Sequence, residues 1–296
     1  MIVQIERIVN KAKKQKYAIG AFNTSNLEIT LAIVRAAVKM KSPVIIQTSE
    51  SAIEYSNTEV LFNLIKTVAN TVGKSVPIAI HLDHGKDLSI IEKCVKVGYN
   101  SVHIDASVED FKTNIKLSQK VAKLARLASK RAHKHHIWVQ AELGAILGKE
   151  GLVKLKTGEI DMKDLMTDPE QAAEFVKQTG LNTLAVSVGT IHGHFQGIEK
   201  VDLPRLQKIA KAVNVPLVMH GGSGLKDVDF KKAIANGISI INIDTNLRLA
   251  FKNALQKNLN KQSDLIDPRK ILTPSIAAMQ AEVERIIKVF GSQNKA

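Results

Sequence analysis

One cysteine, Cys94, stands in a chain of 296 residues. An intramolecular disulfide is therefore excluded, and such sparing use of cysteine suits a reducing compartment. Cys94 falls among Ile90, Ile91 and Val95 at helical spacing, a core position rather than a nucleophile's. Aromatic residues are scarce at 4%. None is interleaved with the basic stretch Lys112 to His136, which argues against a groove that stacks nucleic-acid bases. Long hydrophobic runs are missing too. The longest stretch without a charge, Gln178 to Ile198, holds four glycines, His192 and His194, and does not read as a transmembrane helix. Met1 to Lys16 mixes Glu6, Arg7 and Lys11 with apolar residues and has neither an h-region nor a cleavage site, so it does not read as a signal peptide. The expected location is the cytoplasm, without membrane insertion.

Acid is the charge in short supply: 28 Asp and Glu against 42 Lys and Arg leave a net charge of +14. Such an excess favours anionic partners, whether phosphorylated metabolites, nucleic acid or an acidic surface. Lys112, Lys116, Lys120 and Lys123 form a cationic stripe beside apolar Leu117, Val121, Leu124 and Ala128, the pattern of an amphipathic helix with one solvated face. A protein that binds anionic macromolecules through this surface is the alternative of a different class.

Against these absences stands a regular alternation. Short apolar, β-branched runs read as strands at Ala18–Phe22, Pro43–Gln47, Pro77–Leu82, Ser101–Asp105, Ile137–Glu142, Thr183–Val188, Pro216–His220 and Ser239–Asp244. A helical pattern follows each, and further helices are expected near the start, from Met1 to Gln15, and at the end, near Asn246–Leu259 and Pro274–Phe290. No linker divides the chain. The expectation is one catalytic domain over 1–296, a (β/α)8 TIM barrel with extra N- and C-terminal helices. An open doubly wound sheet is the runner-up, weakened because no G-x-G-x-x-G follows the first strand. The long irregular stretch Gly144–Asp168 is expected to be a mobile functional loop.

Barrel enzymes carry their chemistry at the C-terminal ends of the strands, and the expensive residues collect there. Asn23, Ser49, Asp83, His84, Asp105, Glu142, His192, His220, Asn242 and Asp244 each end or follow a strand. In His81-Leu82-Asp83-His84-Gly85, a carboxylate and two imidazoles crowd one strand end; burying them is costly unless they are paired or bind a metal. His84, His192 and His220 can converge on one divalent ion, a three-histidine set with an open position. His194 offers His192 an H-x-H alternative. Gly221-Gly222-Ser223-Gly224 after the seventh strand suits a phosphate cradle, and Thr245 after the eighth can complete it. A metal beside a phosphate suggests polarisation of a carbonyl on a phosphorylated substrate. The other route, a lysine Schiff base, finds no lysine at any expected strand end.

Taken in order, Ala21-Phe22-Asn23, His81-Leu82-Asp83-His84-Gly85, Val102-His103-Ile104-Asp105-Ala106-Ser107, Ala141-Glu142-Leu143-Gly144, Gly189-Thr190-Ile191-His192-Gly193, His220-Gly221-Gly222-Ser223-Gly224, Asn242-Ile243-Asp244-Thr245 and Asp267-Pro268-Arg269 resemble the class II, metal-dependent fructose-bisphosphate aldolases nearly end to end. The resemblance implies reversible cleavage of fructose 1,6-bisphosphate to dihydroxyacetone phosphate and glyceraldehyde 3-phosphate through a zinc-stabilised enediolate. The close relative, tagatose-bisphosphate aldolase, shares most of these blocks and is the nearest alternative. By resemblance, His84, His192 and His220 hold Zn2+. Asp105 and Glu142 lie near it, where a second divalent or monovalent cation can bind. Asp83 exchanges the C4 hydroxyl proton and Glu150 the C3 proton. Asn242 and Asp244 orient the substrate, and Gly193, Gly221, Gly222, Ser223 and Thr245 hold the ketone-side phosphate. Asn23 and Ser49 line the other half. Arg269 reaches the far phosphate from a neighbouring subunit, which implies a homodimer or homotetramer.

Overall fold

A computed structural model describes residues 1–132, 136–146, 165–191 and 200–296. Eight parallel strands close into a barrel in sequence order. They are β1 (Ile19–Asn23), β2 (Val44–Ser49), β3 (Ile78–Gly85), β4 (Ser101–Ile104), β5 (Trp138–Leu143), β6 (Thr183–Val186), β7 (Leu217–Met219) and β8 (Ile238–Ile243), with β8 pairing back onto β1. The expected (β/α)8 architecture is the observed one. No helix among the described residues is long and apolar enough to cross a membrane.

Helix α1 (Ile5–Gln15) precedes the barrel, and α2 (Leu27–Met40), α3 (Glu50–Ser56), α4 (Thr58–Thr71), α5 (Leu88–Val97) and α6 (Phe111–Ala132) follow β1 to β4. Then come α7 (Pro169–Thr179), α8 (Leu203–Ala212), α9 (Asp227–Ala235), α10 (Thr245–Lys261) and α11 (Pro268–Phe290). Their starts are written locally. Asp168 and Asp267 cap α7 and α11, each with proline next in line, where the missing N–H costs nothing. Gly98, Gly180 and Gly291 end α5, α7 and α11 in left-handed conformations.

Among the differences from expectation, these bear on the site and the last helix. β3 runs past Leu82 to Gly85, and α3 has no counterpart among the expected helices. The last helix begins at Pro268, six residues before Pro274, which lies inside it. Pro274 has no N–H for the carbonyl of Lys270, and Asn258 of α10 fills the gap: its Nδ2 donates to the Lys270 and Ile271 carbonyls at 3.3 and 3.1 Å. A proline read as a helix start is thus tolerated within one.

Side chains alternate along every strand. One set, including Phe22, Ile46, Ile80, Leu82, Val102, Ile104, Val186 and Ile243, packs outward against the helices. The other set fills the interior. At its N-terminal end, Ile19, Ala21, Ile45, Ala79, Trp138, Ala185, Val218 and Ile240 form a separate apolar cluster that α1 plugs with Ile5, Ile8, Val9 and Ala12. Two residues further along the strands the interior turns polar, with Gln47, His81, His103 and Gln140, all buried. The strand ends above that tier form the site.

Candidate active site

A bulge in β3 builds the centre. Leu82 is level with Val102 of β4, yet Gly85 is level with Ile104, so β3 gains a residue between them. His84 takes a left-handed backbone, φ 47°, and its N–H donates to His103 Nδ1 at 3.2 Å. In a regular strand Asp83 and His84 face opposite sides; the bulge turns both toward the barrel axis. Gly85 must be glycine, since a Cβ there would lie 2.6 Å from the His103 carbonyl oxygen.

Asp83 is fully buried and held by amides from three strands. Asn23 Nδ2 donates to Oδ2 at 2.9 Å, Gln47 Nε2 to Oδ2 at 3.1 Å, and Asn242 Nδ2 to Oδ1 at 3.1 Å. Gln47 also donates to Asn23 Oδ1 at 2.6 Å, which locks the pair. Burial raises the Asp83 pKa, but the imidazoles of His84, His103 and His220 outweigh it and hold the carboxyl well below its usual range. The amides add hydrogen bonds that favour the charged form. Asp83 is therefore a fixed, ionised carboxylate.

His84 and His220 meet over it. His84 Nε2 and His220 Nδ1 lie 2.9 Å apart. Behind His84, Asp105 Oδ2 is 2.8 Å from Nδ1, the carboxylate–imidazole pairing that orients metal ligands. Burial pushes the Asp105 carboxyl up, but this hydrogen bond and the nearby imidazoles bring it below its usual range. His220 Nε2 meets the Gln140 and Asn242 amides at 3.1 and 3.3 Å. Glu142 Oε2 stands 3.9 Å from His220 Nδ1, buried and without a hydrogen bond; desolvation and the Asp105 charge push its pKa up to about 8. His103 Nε2 is buried and without a hydrogen bond as well. Two overlapping groups, Asp83, His84, His103 and His220, and His84, His103, Asp105 and Glu142, each bring their ligand atoms within 4.8 Å of one another. Imidazoles meeting edge-on, His84 and His220 at an interplanar angle of 83°, a carboxylate behind one of them and buried polar atoms without hydrogen bonds beside them fit a divalent cation.

The remaining expected residues ring this centre. Gly221 turns left-handed, φ 69°, directly against the Ile191 backbone, and Thr190 Oγ1 donates to the His220 carbonyl at 2.7 Å. A short 3-10 turn, Gly222–Gly224, carries Ser223. Asp244 and Thr245 are buried where β8 enters α10. Burial raises the Asp244 pKa against the opposing Arg248, whose Nε donates to Oδ1 at 2.7 Å. Ser49 Oγ accepts from Ala52 N at 3.4 Å and caps α3, at the edge of a cavity of about 380 Å3 lined by Ser25, Asn26, Tyr55 and Arg248. Arg269 sits at the start of α11, its side chain 89% exposed and donating to Asp267. His192, Gly193, Glu150 and the alternative ligand His194 lie outside the described residues, as does 147–164 of the expected loop.

His103, Gln47, Gln140 and Arg248 bond to residues of this centre, and sequence reasoning misses them. The first three carry a signal: each precedes an expected rim residue by two, His103 before Asp105, Gln47 before Ser49 and Gln140 before Glu142, and so shares its face. Arg248 follows Asp244 by one helical turn.

A match to the family described as fructose-bisphosphate aldolase class II spans residues 3–295. The fructose-bisphosphate aldolase of Thermus caldophilus is 39% identical over the whole of both chains. That of Geobacillus stearothermophilus is 36% identical, covering 100% of this chain and 99% of its own. Among solved structures, the YdjI aldolase of Escherichia coli K12 superposes with a TM-score of 0.83 at 33% identity, covering 100% of each chain. The chain belongs to the class II fructose-bisphosphate aldolase family and is a metal-dependent carbon–carbon lyase.

Proposed function

We propose that the chain cleaves fructose 1,6-bisphosphate reversibly to dihydroxyacetone phosphate and glyceraldehyde 3-phosphate, a step of glycolysis and gluconeogenesis in the cytoplasm. The observation that carries the reading is the buried Asp83 carboxylate, gripped by Asn23, Gln47 and Asn242 beside the paired imidazoles of His84 and His220. Such a carboxylate is poised to take a proton from a substrate hydroxyl that reaches it.

His84, His220 and His192 would hold zinc, which would supply positive charge against the negative charge developing on the substrate's carbonyl side. Asp105 keeps His84 aimed for that purpose, and Glu142 offers a ligand for a second or displaced cation. Asp83 accepts the C4 hydroxyl proton during cleavage and returns it during condensation. Glu150 moves the C3 proton of the ketone half. Asn242 and Asp244 orient the substrate hydroxyls. Backbone N–H groups at Gly193, Gly221 and Gly222, with the hydroxyls of Ser223 and Thr245, hold the ketone-side phosphate. The far phosphate enters the cavity at Ser49 and Arg248, whose guanidinium suits bidentate binding. Arg269 completes that end from a second copy in a homodimer or homotetramer. Its exposed guanidinium and the 90% exposed Ile266 at the tip of the α10–α11 hairpin support this reading.

The test is cleavage of fructose and tagatose 1,6-bisphosphate side by side, with and without EDTA and added zinc. Fast cleavage of the fructose ester, lost with EDTA and restored by zinc, is expected. Preference for tagatose keeps the chemistry and changes the substrate. Activity that resists EDTA contradicts the metal site.

A further inference from the structure

The strained backbone at His84 needs something to hold it. A left-handed conformation is costly for a non-glycine residue, and such strain persists only where the surroundings over-determine it. One support is His103, whose Nδ1 accepts the His84 N–H. A second comes from outside the metal cluster. Glu50, the first residue of α3, reaches across to the segment leaving β3, and its Oε1 accepts the backbone N–H groups of Lys86 and Asp87, each at 2.7 Å. Charge-assisted bonds of this kind are stronger than neutral ones. Lys86 in turn places its Nζ 3.9 Å from Asp105 Oδ2, the same oxygen that meets His84 Nδ1. Both N–H groups lie at the exposed edge, where water can satisfy them. The carboxylate is therefore not needed to cover buried donors; what it fixes is the direction in which the chain leaves the bulge.

We propose that Glu50 is a positioning residue for His84: its carboxylate clamps the backbone two and three residues beyond the imidazole and keeps that ring aimed at His220. The proposal rests on the reading of His84 as a metal ligand. It treats the β2–α3 junction as part of the metal site, with Glu50 acting through the backbone of Lys86 and Asp87.

The test compares Glu50→Ala, Glu50→Gln, Asp87→Ala and His84→Ala with the unchanged protein. The readouts are the zinc dissociation constant, by competition with a chelator, and the melting temperature of each metal-free form. Asp87 caps α5 through Ser89 N at 2.7 Å, so its loss weakens the same helix start without releasing the clamp. Loss of groups that orient a ligand costs 10- to 100-fold in metal affinity. Glu50→Ala is expected to weaken zinc about tenfold, while Asp87→Ala lowers the melting temperature comparably and leaves zinc affinity within twofold. Glu50→Gln keeps an acceptor oxygen and recovers most of the affinity. Unchanged affinity in Glu50→Ala, or equal weakening by Asp87→Ala, overturns the clamp while the ligand reading stands. Full affinity in His84→Ala overturns the ligand reading, and the clamp with it.

Discussion

The two ends of the barrel interior are built from the same strands, two residues apart, and do opposite work. Below, Ile19, Ala21, Ile45, Ala79, Val218 and Ile240 pack against Ile5, Ile8 and Val9 of α1 with no charge among them. Above, the same rows continue as Asn23, Gln47, Asp83, His220 and Asn242, linked by hydrogen bonds. The lower tier gains from removing apolar surface from water. The upper tier carries a large desolvation cost, met by the amides on Asp83 and the carboxylate behind His84. Stability and chemistry are thus divided along the barrel axis, and substitutions in the two tiers should separate accordingly.

The largest effect belongs above. Removing the metal with EDTA, or replacing His84 by alanine, should lower the cleavage rate by about a thousandfold or more, as several kcal/mol of charge stabilisation vanish. A coupled assay for triose phosphate checks this. The lower tier should answer in stability instead. Ile240→Ala should cost about 2–5 kcal/mol in denaturant unfolding and leave KM for fructose 1,6-bisphosphate unchanged; a raised KM would blur the division.

Gln47 probes the boundary. A hydrogen bond to the charged carboxylate lowers its pKa, so Gln47→Ala should raise the pKa of Asp83. The acid limb of the kcat/KM profile then moves to higher pH, with a loss of about tenfold on that limb, since one pKa unit is a factor of ten. An unmoved limb would detach Gln47 from the base. A further effect concerns His81, whose pKa burial pushes down to about 3 from 6.5. Between those values the unfolded chain binds the proton and the folded one does not. Stability from this group is complete above about pH 6.5 and declines as pH falls, by at most about 1.4 kcal/mol per pH unit. His81→Gln should flatten that decline in urea titrations from pH 7 to 4.

Much of this division is visible in the amino-acid order. Most of the eight apolar runs end in or are followed by a polar residue, and Asp-Pro pairs and glycines mark helix ends by chemistry that acts locally. Asp83, His84, Asp105, Glu142, His220, Asn242 and Asp244 stand out because each is expensive at a strand end. The bulge does not stand out, because it is defined by register against β4, a partner sixteen or more residues away. His103, Gln47 and Gln140 stay hidden for a related reason: mid-strand polar residues read as interruptions until the neighbouring rim residue shows which face they share. Pro274 misleads because the donor that relieves it, Asn258, belongs to another helix.

The most direct measurement of the central claim separates the two proton transfers in Asp83→Ala. Cleavage of fructose 1,6-bisphosphate needs a base for the C4 hydroxyl, whereas exchange of the dihydroxyacetone phosphate C3 proton with solvent does not. With zinc bound, this variant should lose cleavage by about 100- to 10,000-fold and retain exchange in deuterated water, followed by NMR. Cleavage that survives the substitution, or exchange lost along with it, would contradict the role assigned to Asp83.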